Sequence, residues 1–155
     1  MNKRLLRLLL ISILLFLMSA CASSPRFTNR NLDESNRGRN DEDLSKYDDY
    51  KVLETVYGVA SFYADKYHGN ITYGGEVYDM YGISAAHPSY QMNTIVRITN
   101  LSNDKSVILR INDKMPFRAD RIIDLSYGTA VELDFVEQGL ADIKLEVLEW
   151  GDGKK

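Results

Sequence analysis

Thr94-Ile95-Val96-Arg97-Ile98-Thr99-Asn100 and Ser106-Val107-Ile108-Leu109-Arg110-Ile111-Asn112 are two β-branched runs separated by Ser102-Asn103-Asp104. Val, Ile and Thr are stiff at χ1 and pack well on a pleated surface, while short polar residues suit a turn, so the pair reads as a hairpin. Upstream, Glu54 to Ala64 alternates, with Val56, Gly58, Ala60 and Phe62 on one side and Tyr57, Val59, Ser61 and Tyr63 on the other. That is the period of a strand, and the bulk on both sides predicts burial on much of each face. Downstream, Ile143 to Trp150 sets Ile143, Leu145 and Val147 against Lys144 and Glu146 as a further strand, and short strands fit residues 83–86 and 121–123. One helix is expected: Ser126 is its N-cap, Ala130, Val131 and Leu133 face a core, and it ends before Gly139. Several short strands with one helix predict a small closed barrel. Tyr67 to Tyr81, rich in Gly and Tyr and without a period, predicts a long irregular loop of the kind that carries function on a rigid scaffold.

The start of the chain is built differently. Lys3, Arg4 and Arg7 precede an apolar run from Leu8 to Met18, followed by Ser19-Ala20 and then Cys21. This is the anatomy of a cleaved signal peptide, residues 1–20, and the run is shorter than the roughly 20 residues a permanent span needs. Met18-Ser19-Ala20-Cys21 looks like a lipobox, in which the cysteine is diacylated and becomes the new N-terminus. Cys21 is the only cysteine, so an intrachain disulfide and a thiolate metal site are both excluded. Several acyl chains on one residue anchor far better than a single chain. Because Ala22 is not aspartate, the expected address is the outer membrane facing the periplasm, or the cell membrane where there is only one.

Residues 21–50, the lipidated N-terminus and a flexible linker, are rich in Ser, Asn, Arg and Asp and offer little to bury. Residues 51–150 are enough for one domain, and 151–155 form a tail. The formal net charge is −3, and three of the positive charges lie in the leader, so no polybasic surface for nucleic acid is expected.

Residue types able to do chemistry gather in and near the irregular loop: His68, Glu76, Asp79 and His87, with Asp113 at the end of the hairpin. Each also has a plainer reading, Glu76 as a solvated turn residue after Gly74-Gly75, Asp79 as a turn holder, His68 as an exposed loop residue. A metal-dependent peptidase using His68, His87 and Asp79 is the weaker alternative, since no helical His-Glu-x-x-His pattern is present. The tyrosines Tyr63, Tyr67, Tyr73, Tyr78 and Tyr81 would suit stacking on sugar faces or packing in loop and core.

Gly58-Val59-Ala60-Ser61-Phe62-Tyr63, Tyr67-His68-Gly69, Gly75-Glu76-Val77-Tyr78-Asp79-Met80, Ala85-Ala86-His87, Val96-Arg97-Ile98-Thr99-Asn100-Leu101, Asn112-Asp113, Pro116-Phe117 and Asp120-Arg121-Ile122-Ile123-Asp124-Leu125-Ser126 together resemble the rare lipoprotein A family, in its order and over essentially the whole domain. The resemblance implies a mainly β fold: a six-stranded double-psi β-barrel of the barwin and expansin type with one or two short helices. It also implies lytic transglycosylase activity on peptidoglycan glycan strands, preferably free of stem peptides, breaking the bond between N-acetylmuramic acid and N-acetylglucosamine to leave 1,6-anhydro ends. The alternative it leaves is a non-catalytic, expansin-like peptidoglycan-binding lipoprotein.

Carried over, the family's important polar residues fall on Glu76, Asp79, His87 and Asp113; beside them Tyr63, Tyr67, His68 and Tyr78 are expected as substrate contacts. The roles expected of them are Asp113 as general acid and then base, Glu76 and Asp79 raising its pKa by like charge, and His87 positioning or hydrogen-bonding substrate. Asp124 matches a position used by related expansin-like barrels or a structural one near the helix start. No cofactor and no metal are expected, and the partners are peptidoglycan strands and, through Cys21, a membrane, with the chain a monomer. The sequence departs from the family at Tyr73-Gly74-Gly75, where members carry Ala-Asn-Gly or Ala-Ser-Gly, and at Met115, where they carry glycine. Methionine tolerates positive φ poorly, so the loop after Asp113 is expected to be reshaped.

Overall fold

The computed structural model describes residues 44–63 and 65–154. The signal peptide, Cys21 and most of the expected linker lie outside the described residues.

Six strands close a barrel in the order β1-β5-β2-β4-β3-β6, where β1 is Glu54–Phe62, β2 Ala85–Ala86, β3 Ile95–Asn100, β4 Ser106–Asp113, β5 Ile123–Leu125 and β6 Ala141–Glu149. The expected hairpin is β3 and β4, paired antiparallel from Ile95↔Arg110 to Thr99↔Ser106. β6 runs antiparallel to both β1 and β3 and so seals the barrel. Two pairs are parallel, β1 with β5 and β2 with β4, which requires the chain to cross over rather than turn back.

Alternation fills the interior. Ala60, Ala85, Val96, Ile98, Leu109, Ile111, Ile123, Leu125, Ile143, Leu145 and Val147 meet there, and Leu133 and Phe135 join them. Burying each of the larger side chains contributes about 1.5–3 kcal/mol relative to leaving it exposed. The buried Asn100 amide donates to the Leu133 carbonyl at 2.9 Å and accepts from the Ser102 amide and hydroxyl, so the hairpin turn is fixed to the end of the helix.

The helix α1 is short, Tyr127–Glu132. Ser126 is its N-cap, accepting from the Thr129 amide at 3.2 Å. Ala130 and Leu133 reach the core as expected, but Val131, one step round the helix, is 49 % exposed. The helix stops well before Gly139 because Asp134 takes φ 57°. Amides of Asp134 and Phe135 then bond back to the carbonyls of Val131 and Ala130, a Schellman closure made with aspartate in the glycine position.

Other expectations need adjustment. The fifth strand lies two residues beyond the expected 121–123, and β6 starts two residues early. The first half of β1 is largely exposed, with Tyr57 65 % accessible, so only the half that reaches the barrel's interior layer is covered on both faces. The linker ends before Tyr50: Ser45–Tyr47 form a 3-10 turn whose Tyr47 is buried with Ile95 and Leu148. Arg97 donates to the Asp48 carbonyl at 2.7 Å. Leu44 and Val52 pack beside Tyr47, so a few apolar side chains in a polar stretch dock it.

Candidate active site

Residues on four neighbouring strands fall into one register row. Ser61 pairs with Asp124, Asp124 with Ala86, and Ala86 with Asp113. A bulge between β2 and β4 sets two residues of β4 against one step of β2, and such a bulge re-aims the side chains beside it. It lines Asp113 up with Asp124 across a fully buried alanine.

The irregular loop folds over this row as a miniature hairpin. Ile71 bridges Val77, and backbone bonds join Tyr78 to Asn70, Thr72 to Glu76 and Gly75 to Thr72. Gly75 has φ +88°, which the tight turn demands. At Gly74 a Cβ would stand 2.6 Å from the Asn112 carbonyl, so the glycine lets the loop lie this close to β4, where the Gly74 amide donates to that carbonyl. The departure Tyr73-Gly74-Gly75 is thereby accommodated. Met115 is likewise absorbed: it lies outside the positive-φ residues and its side chain is buried, so the expected reshaping of that loop is not needed.

Asp113 is held by three donors. Its Oδ2 accepts from the Tyr63 hydroxyl at 2.9 Å, and its Oδ1 from the backbone amides of Tyr73 and Lys114 at 2.7 and 2.8 Å. Tyr63 lies near Asp124 as well; burial first, then the charge of Asp113, pushes its phenol far above the ordinary tyrosine range. Asp124 accepts from the Ser61 hydroxyl and from Arg121, both at 2.5 Å.

His87 is buried at 7 % exposure and its ring stacks on Tyr90, with centroids 3.7 Å apart and planes 18° from parallel. Its Nδ1 accepts from the Tyr90 and Ser89 amides at 3.0 and 3.3 Å, which places the proton of the neutral ring on Nε2. Burial, helped by the ammonium of Lys114, lowers its pKa to about 4. His87 is therefore a neutral hydrogen-bond donor at physiological pH.

Glu76 also comes to this end of β4, but with its charge matched. Arg110 Nη2 lies 2.7 Å from Oε1 and Asn112 Nδ2 2.9 Å from Oε2. The expected like-charge action of Glu76 on Asp113 is thus corrected: the carboxylate is neutralised and ties the loop to the strand. Asp79 does not join the cluster in that role either. Its Oδ1 accepts from the Tyr81 amide at 3.0 Å, the plainer turn-holding reading, and stands 3.8 Å from His68 Nδ1. That nitrogen already accepts from the Met80 amide. His68, His87 and Asp79 are not gathered into a metal-holding group, and no such group of three or more side chains occurs among the described residues.

Of the expected sugar contacts, Tyr67 and His68 are exposed at the rim. Tyr78 is corrected to a core residue: it is only 5 % exposed, packs 5.1 Å from Tyr63, and burial pushes its phenol up to about 12. Tyr63 is half-buried between Tyr67 and Tyr78 and serves Asp113 with its hydroxyl. Arg110, Asn112, Tyr90 and Lys114 escape the sequence reading. For Arg110 and Asn112 a signal existed, since both alternate with core residues Leu109 and Ile111 and so share the opposite face of β4, where both meet Glu76.

Residues 55–145 match the model of a family described as lytic transglycolase. Curated relatives carry the name endolytic peptidoglycan transglycosylase RlpA. One from Pseudomonas aeruginosa is 49 % identical over 94 residues, 61 % of this chain and 28 % of that protein. One from Vibrio cholerae is 45 % identical over 104 residues, 64 % of this chain and 40 % of that protein. The chain thus spans well under half the length of these relatives. Among solved structures, a Streptomyces papain inhibitor aligns with TM-score 0.53 and 18 % identity over 65 % of this chain and all of that one. An expansin variant of Clavibacter michiganensis in complex with cellohexaose aligns with TM-score 0.51 and 16 % identity over 62 % of this chain and 51 % of that one. At these identities the likeness bears on the fold alone, and it agrees with a double-psi barrel.

Proposed function

The chain belongs to the lytic transglycolase family, and from that premise we propose that it cleaves the glycosidic bond between N-acetylmuramic acid and N-acetylglucosamine within peptidoglycan strands, leaving 1,6-anhydro ends. The observation that carries this reading is the carboxyl of Asp113, fixed by Tyr63, Tyr73 and Lys114 next to a neutral His87. Lytic cleavage needs one such group used twice. As an acid it gives its proton to the glycosidic oxygen as the bond to the muramoyl C1 breaks. As a carboxylate it takes the proton of the muramoyl 6-hydroxyl, whose oxygen closes on C1. No water is consumed.

Three fixed donors set the carboxyl's orientation before substrate arrives, which is what positioning catalysis requires. His87 offers its Nε2–H as a donor to the sugar and, with its pKa near 4, holds that form across the physiological range. Glu76, bound by Arg110 and Asn112, keeps Tyr73 over Asp113, and Asp79 shapes the turn beside it. We further propose that Cys21 carries the lipid anchor and that the domain works at the outer membrane, facing the periplasm; the leader and lipobox pattern support this.

Asp113→Asn tests the role assignment. Turnover of purified stem-free strands should fall by at least about a hundredfold, the usual scale for a positioned acid-base group, while the domain stays folded. Turnover near that of the unaltered protein would remove Asp113 from the reaction.

A further inference from the structure

Among the described residues, Lys114 is the cation beside His87 and Asp113 that no carboxylate pairs with. Arg110 is paired with Glu76, and Arg121 with Asp120 and Asp124. Lys114 is half-buried, its Nζ donates to the Tyr90 carbonyl at 2.6 Å, and no carboxylate among the described residues forms an ion pair with it. The Tyr90 it grips is the residue stacked on His87, and its own amide is bonded to the Asp113 carboxylate. The ammonium therefore lies on Tyr90, near enough to His87 for its charge to act on the imidazole, with two donor positions left after the carbonyl is served. A partly desolvated ammonium with spare donors calls for an anion.

Taking the proposed function as its basis, we infer that Lys114 binds the lactyl carboxylate of the N-acetylmuramic acid unit undergoing cleavage. The chemistry of the strand makes this selective. The lactyl group ends in a free carboxylate only where the peptide has been removed; where a stem peptide is attached, that carboxyl is an amide and carries no charge. Lys114 thus reads the absence of the peptide at the reacting sugar, and the tethering to Tyr90 holds the ammonium in place to do so. The carboxylates of a stem peptide are a different source of negative charge, farther from the sugar ring, and the test separates them.

Stem-free strands, the same strands with lactyl carboxyls converted to methyl esters, and strands bearing peptides are compared with the unaltered protein, Lys114→Met and Lys114→Arg. Anhydro-end release gives kcat/KM, and fluorescence anisotropy of labelled strands gives Kd. For the unaltered protein, esterification should lower both kcat/KM and affinity about tenfold, the scale of one charge-assisted hydrogen bond. Peptide-bearing strands should behave like the esters. Lys114→Met should bring the ratio between free-acid and ester strands close to one, and Lys114→Arg should preserve it; reading a ratio removes any general loss of fold or activity. Equal handling of acid and ester by the unaltered protein, an undiminished ratio in Lys114→Met, or peptide-bearing strands matching free acids would each overturn the assignment. Preferential binding of free-acid strands without any anhydro release would sustain the anion site and sink the transglycosylase reading. Binding of neither strand would sink both.

Discussion

Acid should weaken this barrel through His87 in a window that the structure sets. In the unfolded chain the imidazole takes up a proton as pH falls through about 6.5, whereas in the folded chain it resists until about 4, because it is buried and lies beside Lys114. Between those values the unfolded state binds more protons, so stability that is fully present above pH 6.5 is lost progressively down to pH 4. The slope is about 1.4 kcal/mol for each pH unit, and the whole window amounts to about 3 kcal/mol. Against a typical domain stability of about 5–15 kcal/mol, that loss is easily measured. The assay is urea unfolding at several pH values for the unaltered protein and for His87→Gln, which keeps a polar side chain of similar reach but does not titrate. The two proteins differ in this one titrating side chain, so the difference between the curves isolates the imidazole. The unaltered protein should lose about 3 kcal/mol more than the variant between pH 7.5 and pH 4. Parallel curves would show that His87 titrates normally and would remove its assignment as a neutral donor.

Other expectations follow from the same contacts. Arg110→Met leaves the Glu76 carboxylate half-buried beside Asn112 without its cation, and should cost about 1–3 kcal/mol in thermal or urea unfolding, with part of the loss recovered on adding Glu76→Gln. Beginning the chain at Leu44 should leave the barrel's stability unchanged, whereas deletion through Asp49 removes Tyr47 and the acceptor of Arg97 and should cost about 2 kcal/mol by calorimetry. Cys21→Ser should shift the protein from the membrane to the soluble fraction on cell fractionation, and unchanged membrane retention would refute the anchor.

The barrel was readable because its strands carry their own evidence. β3 and β4 alternate β-branched residues around a polar turn, and that pattern has no good helical alternative. What could not be read was set by distant partners. β5 is three residues long and is defined by Ala60↔Ile123 and Ala85↔Leu125, contacts that no local pattern encodes. The helix end rests on Asp134 accepting a left-handed conformation, where sequence habit points to Gly139. At the site, residue types marked Asp113, Glu76 and His87 as candidates beside plainer readings, the resemblance to a family gathered them into one set, and the roles proposed for them depend on neighbours. Arg110 turns Glu76 from a repelling charge into a clamp, and Tyr90 fixes which nitrogen of His87 bears the proton. Tyr78 shows the limit most clearly: in the sequence it is one of several loop tyrosines, and only the folding of the loop back onto Tyr63 buries it.

The reaction proposed for this barrel breaks glycan strands without water. It is tested most directly by digesting stem-free strands with the purified domain in water enriched in heavy oxygen and weighing the muramoyl ends by mass spectrometry. A lytic reaction leaves ends that lack one water relative to a hydrolytic product and carry no heavy oxygen. Reducing muramoyl ends that have taken up heavy oxygen would identify a hydrolase and contradict the account.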